Sequence, residues 1–132
     1  MSEPKHDCDW ILKAMVAVAA SDGHLDTREI GLIQQIYEAC KGCKLDAGAI
    51  ARAADANAQG NIKEEFANAA PRLSDSTKEE IIRSAYLVLL ADNRIMGEER
   101  KQLLDIAVAL KIPEIHFGAI LGDLTNSLEN KA

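Results

Sequence analysis

The sequence predicts an all-α fold, a compact single-domain bundle of about seven helices with an internal pseudo-twofold repeat. The first observation is the repeat, because residues 81–111 restate the pattern of residues 11–41 without a gap. The second is composition: the chain is rich in alanine and aliphatic residues, and aromatics make up only 4%. That mixture suits closely packed helices better than a sheet. The third is that apolar stretches of helical period are separated by short turns.

Each copy of the repeat contains an apolar helix, a turn opened by aspartate, and a second helix with glutamate in its first turn. A duplicated unit of this kind predicts two similar helical hairpins in one domain spanning residues 1–132, with residues 1–5 frayed. Identical pairs include Ile11 and Ile81, Val18 and Val88, Asp22 and Asp92, Glu29 and Glu99, Ile36 and Ile106, and Lys41 and Lys111.

The first hairpin begins with a helix predicted from about Asp7 to Ala20, followed by a turn over residues 21–24. The second helix starts near Thr27, because Asp26 and Glu29 have the spacing of a capping box. Gly42 is expected to end this helix in a left-handed conformation. The helical period places Cys40 on the buried stripe together with Ile36 and Tyr37.

The middle of the chain is less patterned, and the second hairpin follows it. Asp46 is expected to cap a third helix, Gly60 to end it, and Pro71 to follow a fourth. A capping box at Ser76 and Glu79 is expected to open the fifth helix. The remaining expectations are a turn over Asp92–Met96, a sixth helix over Gly97–Leu110, Pro113 in the first turn of a seventh helix, and a buried stripe of Phe117, Ile120, Leu121, Leu124 and Leu128.

Charge and cysteine content narrow the class of protein. The net charge of −6 and the pI near 5.0 disfavour binding to nucleic acid or to anionic membranes, which attract basic surfaces. The N-terminus lacks an apolar signal segment, and no apolar run reaches the length of a membrane span. Three cysteines without an export signal predict reduced thiols and a cytoplasmic location.

The two repeated turns hold the candidate cation site. Ca²⁺ and Mg²⁺ both prefer oxygen ligands, so either ion is a possible cofactor. An EF-hand proper does not fit the first turn, because Val18 and Ala20 occupy the first two ligand positions. The candidate ligands are Asp22, Asp26, Glu29, Asp92, Glu98 and Glu99, with His24 as an accessory ligand or a surface residue. Capping and favourable interaction with the helix dipole explain the same carboxylates without any metal.

The cysteines offer a second candidate site. Cys40 and Cys43 form a CxxC pattern, and with Cys8 and His6 they have the composition of a Cys₃His zinc site. The same thiols are candidates for redox exchange. Because this CxxC ends a helix instead of opening one, the helix dipole does not favour a thiolate there. Ordinary packing of the three cysteines is the third interpretation, and zinc is a weaker expectation than Ca²⁺ or Mg²⁺.

The first turn, Asp22-Gly-His-Leu-Asp-Thr-Arg-Glu29, resembles the TerB-like family of tellurite-resistance B proteins. The second copy, Asp92-Asn-Arg-Ile-Met-Gly-Glu-Glu99, resembles the second half of that family, although Asn93 replaces the glycine and Met96 replaces an aspartate. The resemblance implies an all-helical bacterial stress-response domain linked to tellurite resistance. It also implies an acidic surface associated with divalent metal, and no enzymatic activity.

The sequence therefore leads to one main function and two alternatives. The main one is a non-enzymatic domain whose acidic face binds a divalent cation, a protein partner, or both. The alternatives are a helical interaction adaptor without metal, and a thiol or zinc protein using Cys8, Cys40 and Cys43. We find no pairing of a nucleophile with a base and no nucleotide-binding or metalloprotease motif.

Overall fold

The structure is a computed structural model that describes residues 4–21, 23, 25–91 and 97–129, with side chains from residue 7 to residue 126 within those ranges. The described residues form helices and turns without any strand, which confirms the predicted all-α class. The helices are α1 (Pro4–Ala19), α2 (Thr27–Lys41), α3 (Ala47–Gln59), α4 (Ile62–Ala69), α5 (Asp75–Leu90), α6 (Gly97–Ala109) and α7 (Glu114–Glu129), with a 3₁₀ turn at Ala70–Arg72 between α4 and α5.

Helices α1 and α5, the first helices of the two repeats, pack along each other at the centre. Helices α2 and α6 each contact both of them, while α3 lies against α1 and α2, α4 against α6, and α7 against α5. Two identical pairs of the repeat share their burial, since Ile11 and Ile81 are both in the core, as are Val18 and Val88. The buried side chains form one continuous apolar core, to which burial of aliphatic surface contributes about 25 cal/mol per Å².

The predicted helix boundaries are confirmed where local capping signals are strong. Asp26 caps α2 and Asp46 caps α3, each from an extended backbone conformation that lets its carboxylate accept a hydrogen bond from an amide of the first turn. Gly42 ends α2 with a φ of 80°, in the left-handed region as predicted.

Three boundaries differ from the prediction. The cap of α5 is Ser74 and not Ser76, because Ser74 is extended and its hydroxyl accepts a hydrogen bond from the amide of Thr77, while Ser76 already lies within the helix. Helix α1 begins at Pro4, inside the segment expected to fray. Pro113 directly precedes α7, and its carbonyl accepts the amide of Phe117 at 2.9 Å.

Gly31 within α2 and Gly42 directly after it give a matched stability test. Gly42→Ala is expected to lower the free energy of unfolding by about 1–2 kcal/mol, because a side chain in the left-handed conformation is strained. Gly31→Ala is expected to raise it by about 0.5–1 kcal/mol, because Gly31 lies within the helix and an added methyl group meets nothing within 4 Å. Urea unfolding measures both changes, and two changes of the same sign would contradict the assigned backbone conformations.

Across the described part of the chain, none of the helices is both long enough and apolar enough to span a bilayer.

Candidate functional site

The structure describes four of the six carboxylates proposed as cation ligands. Asp26 lies just before α2 and Glu29 lies in its first turn, while Glu98 and Glu99 lie in the first turn of α6. Asp22 and Asp92, together with His24, Asn93 and Met96, fall outside the described residues. The structure therefore describes the part of the proposed site that lies at the starts of α2 and α6, directly after the two repeated turns.

Asp26 and Glu29 form the capping box that their spacing predicts. The Asp26 carboxylate accepts a hydrogen bond from the Arg28 amide at 2.6 Å, and Glu29 Oε1 accepts one from the Asp26 amide at 3.1 Å. These bonds satisfy backbone donors that have no partner within the helix. Capping therefore accounts for one oxygen of each carboxylate, whether or not a metal binds.

Burial separates Glu29 and Glu99 from the other candidates. Only 2% of Glu29 and 1% of Glu99 is exposed, whereas Glu98, next to Glu99 in the chain, is exposed. A glutamate that only caps a helix can remain exposed to solvent. Capping therefore does not explain why both repeat-related glutamates are buried. Each of the two also interacts with a neighbouring group. Among the described residues, no three or more His, Cys, Asp or Glu side chains are grouped so as to hold a metal ion.

Two of the three cysteines are bonded to each other in the structure. Cys8 in α1 and Cys40 in the last turn of α2 form a disulfide with a Cα–Cα distance of 5.9 Å. The prediction of reduced thiols is therefore wrong for this structure, and so is the placement of Cys40 on the buried stripe. Cys8 is buried and Cys40, in the last turn of α2, is exposed. Cys43 is a free, exposed cysteine.

The disulfide bears directly on the zinc alternative. A structural zinc ion is bound by deprotonated thiolates, and two sulfurs joined to each other cannot supply them. In this oxidation state Cys43 is the only thiol of the proposed Cys₃His set, and the side chain of His6 lies outside the described residues. A Cys₃His site therefore requires prior reduction of the Cys8–Cys40 bond.

A polar cluster joins the same two helices next to the disulfide. Asp9 Oδ1 accepts hydrogen bonds from the Tyr37 hydroxyl and from Lys41 Nζ, each at 3.3 Å. Lys41 Nζ also lies 5.5 Å from the centre of the Tyr37 ring. The contact with Tyr37, and then the bond to Asp9, raises the pKa of Lys41 above its ordinary value of 10.5. Lys41 therefore stays positively charged beside Cys40 at neutral pH.

A cleft of about 400 Å³ lies beside this cluster, between α1, α3 and α4. Trp10 is half-buried at its edge and packs against Phe66, with ring centroids 5.1 Å apart. Lys13 crosses the cleft, where its Nζ lies 2.7 Å from Glu65 Oε1 and donates to Asn57 Oδ1 at 3.0 Å. Sequence reasoning missed Lys13, Asn57 and Glu65 because they come from three helices and carry no shared spacing signal.

An apolar strip on α6 is the other surface that the sequence analysis did not single out. Leu104 is 45% exposed and Val108 is 66% exposed, one helical turn apart. They line a groove with Ala67 of α4. The buried residues of α6 face α1 and α5, and they are Leu103, Ile106 and Ala107. Leu104 and Val108 lie on another side of the helix and therefore stay at the surface.

Comparisons with protein-family models, with curated proteins and with solved structures found no match to this chain. The TerB-like resemblance therefore rests on the two turn motifs and their separation in the sequence.

Proposed function

We propose that this chain is a non-enzymatic, TerB-like stress-response domain that binds a divalent cation through an acidic face formed by its two repeated turns. Ca²⁺ and Mg²⁺ are the proposed ions, because carboxylates and backbone carbonyls are their usual ligands. The proposed ligands are Asp22, Asp26, Glu29, Asp92, Glu98 and Glu99. The same face is the proposed contact for a basic protein partner.

The observation that supports this proposal is the burial of Glu29 and Glu99 at equivalent positions of the repeat. A negative charge removed from water interacts more strongly with a nearby cation, because the local dielectric constant is lower than that of the solvent. The net charge of −6 adds a long-range attraction for cations. Each buried glutamate also lies in the first turn of its helix, a few residues after an aspartate of the repeated turn.

A two-dimensional NMR titration of the metal-free protein with Ca²⁺, then Mg²⁺ and Zn²⁺, tests the proposal. Saturable shifts are expected at the amides of residues 22–29 and 92–99. The double variant Asp22→Asn with Asp92→Asn is expected to weaken binding at least about tenfold, equivalent to about 1.4 kcal/mol. The matched control is Asp55→Asn with Asp123→Asn, which removes the same charge from exposed positions of α3 and α7.

Each outcome of the titration decides between named alternatives. Equal weakening by the two double variants would mean that cations respond only to net charge, and it would contradict a specific site. The absence of any saturable shift would reject the cation site, and retention of a protein partner would then favour the metal-free adaptor. Shifts confined to the three cysteines with Zn²⁺, seen only after reduction, would favour the thiol or zinc alternative.

A further inference from the structure

We infer that Cys8, Cys40 and Cys43 form a thiol–disulfide exchange site, in which Cys43 attacks the Cys8–Cys40 disulfide and converts it to a Cys40–Cys43 disulfide. The structure supplies the disulfide itself and an exposed free cysteine, Cys43, three residues after Cys40. This inference does not depend on the acidic face or on cation binding.

Exposure distinguishes the two cysteines of the disulfide. Cys40 is an exposed residue, whereas Cys8 is 5% exposed and shielded from solvent. Exchange requires a thiolate to reach one sulfur of the bond, so attack is directed to Cys40 and Cys8 is the leaving group. Gly42, between Cys40 and Cys43, is in the left-handed conformation that ends α2, so Cys43 lies outside the helix and close to Cys40 in the chain.

The exchange balances without an external oxidant or reductant. Cys43 loses its proton to water, and its sulfur electron pair forms the new bond to the sulfur of Cys40. The electron pair of the old bond leaves on the sulfur of Cys8, which takes up a proton. One disulfide and one thiol are present before and after the step. The released Cys8 remains in an apolar environment, which a free cysteine tolerates because it behaves as a small hydrophobic residue.

The fold determines which disulfide is favoured. Packing of α1 against α2 holds Cys8 and Cys40 together, although 32 positions separate them in the chain. In an unfolded chain, closing the short CxxC loop costs less entropy than closing the long loop. The Cys8–Cys40 bond is therefore expected to predominate in the folded protein, and the Cys40–Cys43 bond to gain when α1 separates from α2. The ratio of the two disulfides would then indicate whether α1 and α2 are packed against each other beside Trp10.

Trypsin separates the three cysteines, which makes the exchange directly measurable. Cleavage after lysine and arginine places Cys8 in residues 6–13, Cys40 in residues 29–41 and Cys43 in residues 42–44. The full-length oxidised protein is held at pH 8, acid-quenched, treated with N-ethylmaleimide and digested, and mass spectrometry then identifies the linked peptides. We expect a major 6–13/29–41 link, a minor 29–41/42–44 link, and a rise of the minor link in urea.

Isolation of the two isomers completes the test. Each isomer, separated at acid pH and returned to pH 8, is expected to regenerate the same mixture at a rate independent of protein concentration. Cys43→Ser, which keeps the size of the side chain but cannot attack, is expected to abolish the minor link. Detection of the 6–13/29–41 link alone under all conditions would overturn the inference, as would a rate proportional to protein concentration. Absence of the 6–13/29–41 link would overturn the starting disulfide as well.

Discussion

Replacing Phe66 with alanine is expected to lower the free energy of unfolding by about 3–5 kcal/mol. Phe66 is completely buried in α4, and the loss combines the transfer energy of the ring with the cavity that remains. The half-buried Trp10 also loses the ring that it packs against. Because Trp10 is the only tryptophan, its fluorescence emission should move to longer wavelength in the folded variant. Urea unfolding followed by circular dichroism measures the stability change.

The matched control is Phe117→Ala, which removes the only other phenylalanine of the chain. Phe117 is half-buried in α7, so its removal is expected to cost clearly less than removal of Phe66 and to leave the Trp10 emission unchanged. A larger loss at Phe117 than at Phe66 would contradict the placement of α4 against the core.

Reduction of the Cys8–Cys40 disulfide is expected to lower the free energy of unfolding by about 3.7 kcal/mol. The bond closes a loop of 32 residues and restricts the unfolded chain, which is the main source of stabilisation by a disulfide. Comparison of urea unfolding with and without a phosphine reductant measures the change. Reduced protein should remain helical, because the apolar core between α1 and α5 does not depend on the bond.

Two variants separate the effect of this bond from other effects of the reductant. Cys40→Ser removes the bond at an exposed position, so its stability should match that of the reduced protein and should not respond to the reductant. Cys43→Ser keeps the bond but cannot undergo the exchange, so it should be at least as stable as the oxidised protein and should keep the full response to reduction. Equal unfolding midpoints for oxidised and reduced protein would show that the disulfide does not form in solution.

Local sequence signals account for most of the fold. Asp26 sets the start of α2 by a hydrogen bond, and Gly42 sets its end by its left-handed backbone angles. Both effects involve only residues that are neighbours in the chain, so the sequence predicts them. The capping-box pattern favours Ser76 over Ser74, because only Ser76 has a glutamate three residues later, at Glu79. The choice depends on the extended backbone that follows the 3₁₀ turn, a feature that the pattern does not encode.

The candidate sites depend much more on packing. The sequence identifies Glu29 and Glu99 as equivalent, but their burial follows from how α2 and α6 lie against α1 and α5. The pattern places Cys40 on the buried stripe beside Tyr37, and the structure exposes it. The polar bridge of Lys13, Asn57 and Glu65 joins three helices, and no periodic signal connects residues so far apart in the chain.

The helical class, the repeat and the capping of α2 and α3 therefore follow from the order of amino acids, because they depend on short-range hydrogen bonding and apolar periodicity. The pairing of Cys8 with Cys40, which leaves Cys43 free, depends instead on how the helices pack. A disulfide needs two Cα atoms about 6 Å apart, and the packing of α1 on α2 brings together two residues that are distant in sequence.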